Sequence, residues 1–87
     1  IAIMYYLYIL KSEKDDKLYI GSTRNLRRRL SEHNKGEVQS TKSRVPLELR
    51  YYEAFFSEES ARKREASLKK DGEALGQLKK KISESLL

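Results

Sequence analysis

The chain has 87 residues, enough for one modest hydrophobic core and not for two. It has no cysteine and one histidine, which excludes disulfides, thiolate nucleophiles, zinc fingers and zinc proteases. Nineteen Lys and Arg against thirteen Asp and Glu leave a net charge of +6, a surplus that favours polyanions because basic side chains release the counterions condensed on phosphates.

In chain order, the β-branched and aromatic run from Tyr5 to Leu10 predicts a strand, with Tyr6 and Tyr8 on one face. Lys11 to Lys17 reads as a charged turn and Leu18 to Gly21 as a second, short strand. Ser22 and Thr23 offer capping oxygens for a helix from about Arg24 to Lys35, ended by Gly36. A polar loop follows, and Pro46 suits the entry to a third strand, Leu47 to Ala54, which places Leu47, Leu49 and Tyr51 on one face. Ser57, Glu58 and Glu59 mark a helix start that complements the N-terminal dipole. That helix ends near Asp71-Gly72, and a last one, from about Glu73 to Leu86, carries Leu75, Leu78, Ile82 and Leu86 at helical spacing. The order ββαβαα describes a small α+β domain, a three-stranded, mostly antiparallel sheet flanked by helices. Residues 1–87 are expected to form one domain, with its core at about 5–70 and a C-terminal helix at 73–86.

No stretch approaches a membrane span of about 20 apolar residues, and no secretory signal is expected. Action in a reducing cytoplasm is expected, with Met4 as the native start and Ile1 to Ile3 an upstream remnant.

The placement of polar groups is more informative than their number. Between Arg24 and Arg44 stand seven basic residues and only two acids, Glu32 and Glu37. With Leu26 as origin and a step of about 100°, Leu30 falls about 40° forward, His33 about 20° back and Arg29 about 60° back. Arg27 and Arg28 turn towards solvent, suited to phosphate contacts, while Arg29 and His33 aim into a shared concavity. On the next helix Glu65 lies about 40–60° from Ala61 and Leu68, beside their apolar stripe. An ion pair with Lys69 in the favourable i,i+4 order and a role as metal ligand stand level there, since Mg²⁺ accepts few protein ligands. Taken singly, His33 reads as a partly buried structural histidine and the tyrosines as sheet packing. Taken together, Tyr8, Tyr19, Arg29, His33 and Glu65 supply a base, a charge stabiliser and a metal ligand, parts that suit phosphodiester hydrolysis. No P-loop, dinucleotide fingerprint or nucleophile elbow competes with that reading.

These residues fall in an ordered set. Tyr6-Leu7-Tyr8 and Tyr19-Ile20-Gly21 lead into Ser22-Thr23-Arg24-Asn25-Leu26 and Arg28-Arg29-Leu30-Ser31-Glu32-His33-Asn34. Thr41, Arg44 and Pro46 follow, then Arg64-Glu65-Ala66-Ser67-Leu68-Lys69. Over about residues 5–70 the chain resembles the GIY-YIG nuclease superfamily, most closely its small stand-alone bacterial members. The resemblance implies a metal-dependent DNA endonuclease that hydrolyses a phosphodiester bond by water attack, with branched or damaged DNA among the candidate substrates. It implies that Tyr8 and Tyr19 flank the scissile phosphate, one of them taking the proton of the attacking water; Tyr8 is the preferred base. Arg29 would bind the phosphate, His33 would assist proton transfer or polarise the base, and Glu65 would hold a single Mg²⁺ or Mn²⁺. Gly21 would permit close backbone approach beside Tyr19, and Gly21, Arg24, Arg27, Arg28, Lys42 and Arg44 would meet nucleic acid.

An unperturbed tyrosine ionises at a pKa of about 10, so Arg29, the metal and the basic surround must lower it, or His33 must accept the proton. Two departures stand out: Tyr6 replaces the first glycine of the family motif, and the only asparagines, Asn25 and Asn34, leave none late in the domain. The competing readings are a nucleic-acid-binding module with weak or no catalysis, and an interaction domain whose last helix docks on a partner. In a domain of this size, strong site preference would need a protein partner or a homodimer.

Overall fold

A computed structural model describes residues 3–87; Ile1 and Ala2, part of the expected upstream remnant, lie outside the described residues. The first strand, β1 (Tyr5–Ser12), carries large apolar side chains on both faces, and all of Leu7, Tyr8, Ile9 and Leu10 are buried. A strand buried on both faces belongs in the middle of a sheet, and it lies there: the order is β2-β1-β3, with β2 (Leu18–Thr23) and β3 (Leu47–Phe55) both antiparallel to it. The β1–β2 turn closes with Asp16 in the left-handed region at φ 63°, a conformation Asp tolerates better than most residues. Ser12 organises the same turn, its hydroxyl accepting from the Lys14 and Asp15 amides and donating to the Arg44 carbonyl at 2.6 Å.

Opposite Ile9 and Leu10 the register of β3 slips, Ile9 facing Tyr51 and Leu10 facing Leu49, so that Arg50 is an extra residue. Such a bulge offsets the alternation by one. Leu47 and Leu49 therefore pack with Tyr8 and Leu10, whereas Tyr51 packs with Leu7 and Ile9 on the other side. The expectation that Leu47, Leu49 and Tyr51 share a face is overturned by this one residue.

Helices cover both faces. Helix α1 (Leu26–Asn34) lays Leu26 and Leu30 against Tyr8, Leu10 and Leu47. Helices α2 (Glu58–Lys70) and α3 (Gly72–Lys81), with a 3₁₀ turn over Ser83–Leu86, bury Leu68, Leu78 and Ile82 against Leu7, Ile9 and Ile20. The predicted last helix is thus broken at Ile82, but all four residues of its apolar stripe pack on this core, which leaves no stripe for docking. Each such aliphatic side chain, fully buried, contributes about 1.5–3 kcal/mol.

The caps correct one prediction and support another. Ser22 and Thr23 do not cap α1, because β2 continues through both, with Thr23 opposite Tyr6. The cap is Asn25, whose side chain accepts from the Arg28 amide at 3.0 Å. At the other end Gly36 turns the chain at φ 76°, as glycine readily does. Ser57 caps α2 as expected, and Asp71 both ends α2 and caps α3, accepting from the Glu73 and Ala74 amides. Asn34 pins the end of α1 to the start of β3: its carboxamide accepts from the Leu47 N–H at 2.7 Å and donates to the Leu47 carbonyl at 2.9 Å.

Candidate active site

Tyr8 and Gly21 face each other across the β1–β2 ladder. The tyrosine ring lies over the glycine so closely that a Cβ on Gly21 would sit 2.5 Å from Tyr8 Oη and 2.6 Å from Cζ. Gly21 is itself buried. The missing side chain of Gly21 makes room for a phenol of the same sheet.

The position of that phenol is set by α1. His33 is completely buried, with Nε2 2.9 Å from Tyr8 Oη and Nδ1 2.7 Å from Thr41 Oγ1. Tyr8 and Tyr19 both meet the imidazole edge to face, at centroid separations of 5.8 and 5.1 Å. Ser40 donates to the Tyr19 hydroxyl at 3.3 Å. Burial lowers the His33 pKa to about 4, helped by Arg29 and opposed by Glu32. The ring is neutral near pH 7. Burial also pushes the Tyr8 phenol up to about 12; Arg29 pulls it down, while Tyr19 and Glu65 push with the burial. The protein groups alone do not lower this tyrosine as a phenolate base requires, because desolvation outweighs the guanidinium.

Arg29 is half-buried beside this group and donates to Glu32 Oε1 at 3.1 Å, whereas Arg27 and Arg28 are exposed, as the helical angles predict. Glu65 comes from α2, on the opposite face, and meets the site at the edge strand β2. Ser22 Oγ donates to Glu65 Oε1 and Lys69 Nζ to Oε2, each at 2.6 Å. Burial acts to raise the Glu65 pKa, but Lys69 and Ser22 outweigh it and hold the carboxyl below its usual range.

A divalent cation would find one carboxylate here. Among the described residues no three His, Cys, Asp or Glu side chains converge on a common point. The donor set suits an ion that keeps most of its water, as Mg²⁺ does. Glu65 fits: it is anionic, its side chain is 22% exposed, and it already holds an ammonium where a metal would bind.

Over residues 4–81 the sequence matches the family described as the GIY-YIG catalytic domain. The chain belongs to the GIY-YIG family. Relatives include a UPF0213 protein of Clostridium perfringens (strain 13 / Type A), 44% identical over 68 residues that span 77% of this chain and 72% of that protein. Another, from Streptococcus pyogenes serotype M5 (strain Manfredo), is 44% identical over 66 residues, spanning 75% and 71%. No solved structure matches the chain significantly. Family membership implies nuclease-type chemistry, and GIY-YIG nucleases generally use a divalent metal. Among the described residues no helix is long and apolar enough to cross a membrane.

In this GIY-YIG domain the basic residues divide. Arg24, Arg27, Arg28 and Lys42 are exposed, and Arg24 and Arg28 line, with Tyr6 and Asn25, an open groove of about 520 Å³. Arg44 departs from expectation. Its Nε donates to Asp15 Oδ2 at 2.7 Å and its Nη2 to the Lys17 and Leu18 carbonyls at 3.1 and 3.4 Å. With Arg44 as the main cause, the Asp15 pKa falls to about 2. The guanidinium fastens the loop before β3 to the hairpin turn through Nε and Nη2.

Sequence reasoning missed three partners: Ser22 on Glu65, Thr41 on His33 and Ser40 on Tyr19. Only Ser22 left a usable signal. Strand alternation places it on the Ile20 face, towards α2, once β2 is read through to Thr23. Also unforeseen is a groove of about 540 Å³ beside Tyr19, with Lys17, Lys69 and Lys79 in its lining.

Proposed function

We propose that this chain is a metal-dependent DNA endonuclease that hydrolyses phosphodiester bonds by water attack, residues 1–87 acting as one domain. The observation that carries the reading is the cluster of Tyr8, Tyr19, His33 and Arg29 on one face of the sheet, with the Glu65 carboxylate close enough to bias the Tyr8 phenol. A binding module needs no buried tyrosine–histidine pair and no carboxylate beside it.

In this reading Arg29 grips the phosphate and meets the charge that develops on its oxygens. Tyr8 takes the proton of the attacking water, and Tyr19, at a ring separation of 6.4 Å, closes the other flank of the phosphate. Glu65 would hold Mg²⁺ or Mn²⁺ in place of Lys69, and the ion would supply Lewis-acid stabilisation of the phosphate oxygens. Arg24, Arg27, Arg28 and Lys42 contact the flanking backbone without reading sequence. Choice of site, branched or damaged DNA included, comes from a protein partner or a second copy, and the setting is cytoplasmic.

One observation favours a catalytically weak nucleic-acid-binding module: the Lys69 ammonium sits 2.6 Å from Glu65, on the carboxylate proposed to hold the metal. The two readings separate in one experiment. Supercoiled and branched DNA are incubated with the protein and Mg²⁺ or Mn²⁺, beside Glu65→Ala and Tyr8→Phe. Metal-dependent nicking that both substitutions abolish is the expected result. Binding without nicking under any metal would establish the module instead, and equal nicking by Glu65→Ala would remove Glu65 from the site.

A further inference from the structure

We propose that the lysine-rimmed groove beside Tyr19 is a second nucleic-acid subsite, one that takes an unpaired nucleotide of the strand being cut. The inference deepens the nuclease reading above and rests on it for where the scissile phosphate lies.

The groove follows the open edge of β2, where α2 and α3 approach it. Its volume is about 540 Å³, and the three lysines of its lining, Lys17, Lys69 and Lys79, are all exposed. One acid shares the lining, Asp16, and its carboxylate lies 3.4 Å from the Lys11 ammonium. Lys69 is engaged by Glu65, but among the described residues Lys17 and Lys79 pair with no carboxylate. Two ammonium groups without counter-charges in one groove favour a polyanion.

Between the lysines the lining is apolar. Leu18 and Leu75 are partly exposed, Ile20 and Leu68 are buried behind them, and the Tyr19 ring joins them. A duplex keeps its bases stacked inside and presents phosphates and sugars, which gain nothing from such a floor. An unpaired base has two bare faces that gain by leaving water, and an aromatic ring is a ready platform for one of them.

The position of the groove ties it to the candidate site. Tyr19 and Lys69 belong to both: the Tyr19 ring is 5.1 Å from the His33 ring, and Lys69 Nζ is 2.6 Å from Glu65 and 5.7 Å from the Tyr19 ring centre. Along the β1–β2 ladder Tyr8 faces Gly21 in the middle. At one end Tyr6 faces Thr23, beside the groove of Arg24 and Arg28; at the other Lys11 faces Leu18, in the lysine groove. Basic surfaces thus stand at both ends of the ladder, about 17 Å apart, with the site between them. A strand that crosses the site meets both.

Binding in metal-free buffer tests this without cutting. Fluorescence anisotropy is read over a range of salt with a short oligothymidylate and with an abasic oligomer of equal phosphate count. Lys17→Gln combined with Lys79→Gln should lower the salt slope for oligothymidylate by about 1.4, from two contacts worth about 0.7 each. Lys63→Gln, which removes a charge paired with Glu59 elsewhere on α2, should leave the slope unchanged. The abasic oligomer should bind on the order of 10-fold more weakly, and Leu75→Gln should narrow that gap without altering the slope. A slope that the double substitution leaves unmoved overturns the proposal, as does equal affinity for the two oligomers or a gap that Leu75→Gln leaves whole. The expected binding by a protein that nicks no DNA would support the subsite and sink the nuclease reading. Metal-dependent nicking with an unmoved slope would keep that reading and remove the subsite.

Discussion

Gly21→Ala is the smallest change that tests how the site is assembled. Gly21 has no left-handed φ, so alanine meets no backbone strain there and would ordinarily stabilise by about 0.4–1 kcal/mol through the unfolded chain. The Tyr8 ring reverses the sign. The new Cβ would lie 2.5 Å from Tyr8 Oη, and ordinary contact begins at 3.4 Å, so ring and strand must part by 0.9 Å. Overpacking of this kind costs about 1–3 kcal/mol, and the 2.9 Å bond to His33 is worth about 0.5–1.5 more. The net expectation is a loss of about 1–4 kcal/mol, read as a lower urea midpoint at unchanged slope. A displacement near 1 Å at the reacting group should also slow nicking about 10²-fold. Gly76→Ala is the control: it lies within α3 with nothing inside 4 Å, so it should stabilise by about 0.5–1 kcal/mol. A Gly21→Ala protein as stable and as active as wild type would refute the packing of Tyr8 on Gly21.

Other consequences are equally open to measurement. With Tyr8 at about 12 and acting as a base, nicking should climb close to tenfold per pH unit from neutrality into the alkaline range; a plateau above pH 7 would count against it. His33 binds its proton at about 4 when folded and 6.5 when unfolded, so the unfolded state takes up more protons between those values. Stability should therefore fall as pH drops through that window, by at most about 3 kcal/mol, and His33→Phe should flatten the dependence. Arg44→Ala should leave the salt dependence of DNA binding unchanged, whereas Arg28→Ala or Lys42→Ala should lower its slope by about one. Lys69→Met frees Glu65 and should lower the Mg²⁺ concentration needed for half-maximal nicking; an unchanged requirement would mean that the ammonium and the ion do not compete.

Much of this molecule was legible in its sequence, and the exceptions share a cause. The strands and helices announced themselves through alternation, helical spacing and end signals such as Ser57 and Gly36. The angles of α1 separated Arg29 and His33 from Arg27 and Arg28 correctly. Hidden features depended on partners distant in the chain. Nothing local at Arg50 marks a bulge, since it is neither Gly nor Pro. Ser22 looked like a cap because a hydroxyl before a helix satisfies that pattern, yet its partner lies 43 positions away. Arg44 carried the charge of a phosphate ligand, and only the folded hairpin shows that Asp15 claims it. Tyr8 was legible as a candidate, but its high pKa was not, because desolvation belongs to the assembled layers.

The bulge also sets where the length of this chain can change. Arg50 is the one residue of β3 with no counterpart on β1, and its Nε is, among the described residues, the buried side-chain polar atom left without a partner. Deleting it would let Tyr51 follow Leu49 in plain alternation, each residue keeping the side of the sheet it now occupies. Removing any other residue of the paired strand would turn its neighbours inside out. Position 50 is thus a point where the chain can shorten by one residue without exchanging its two cores.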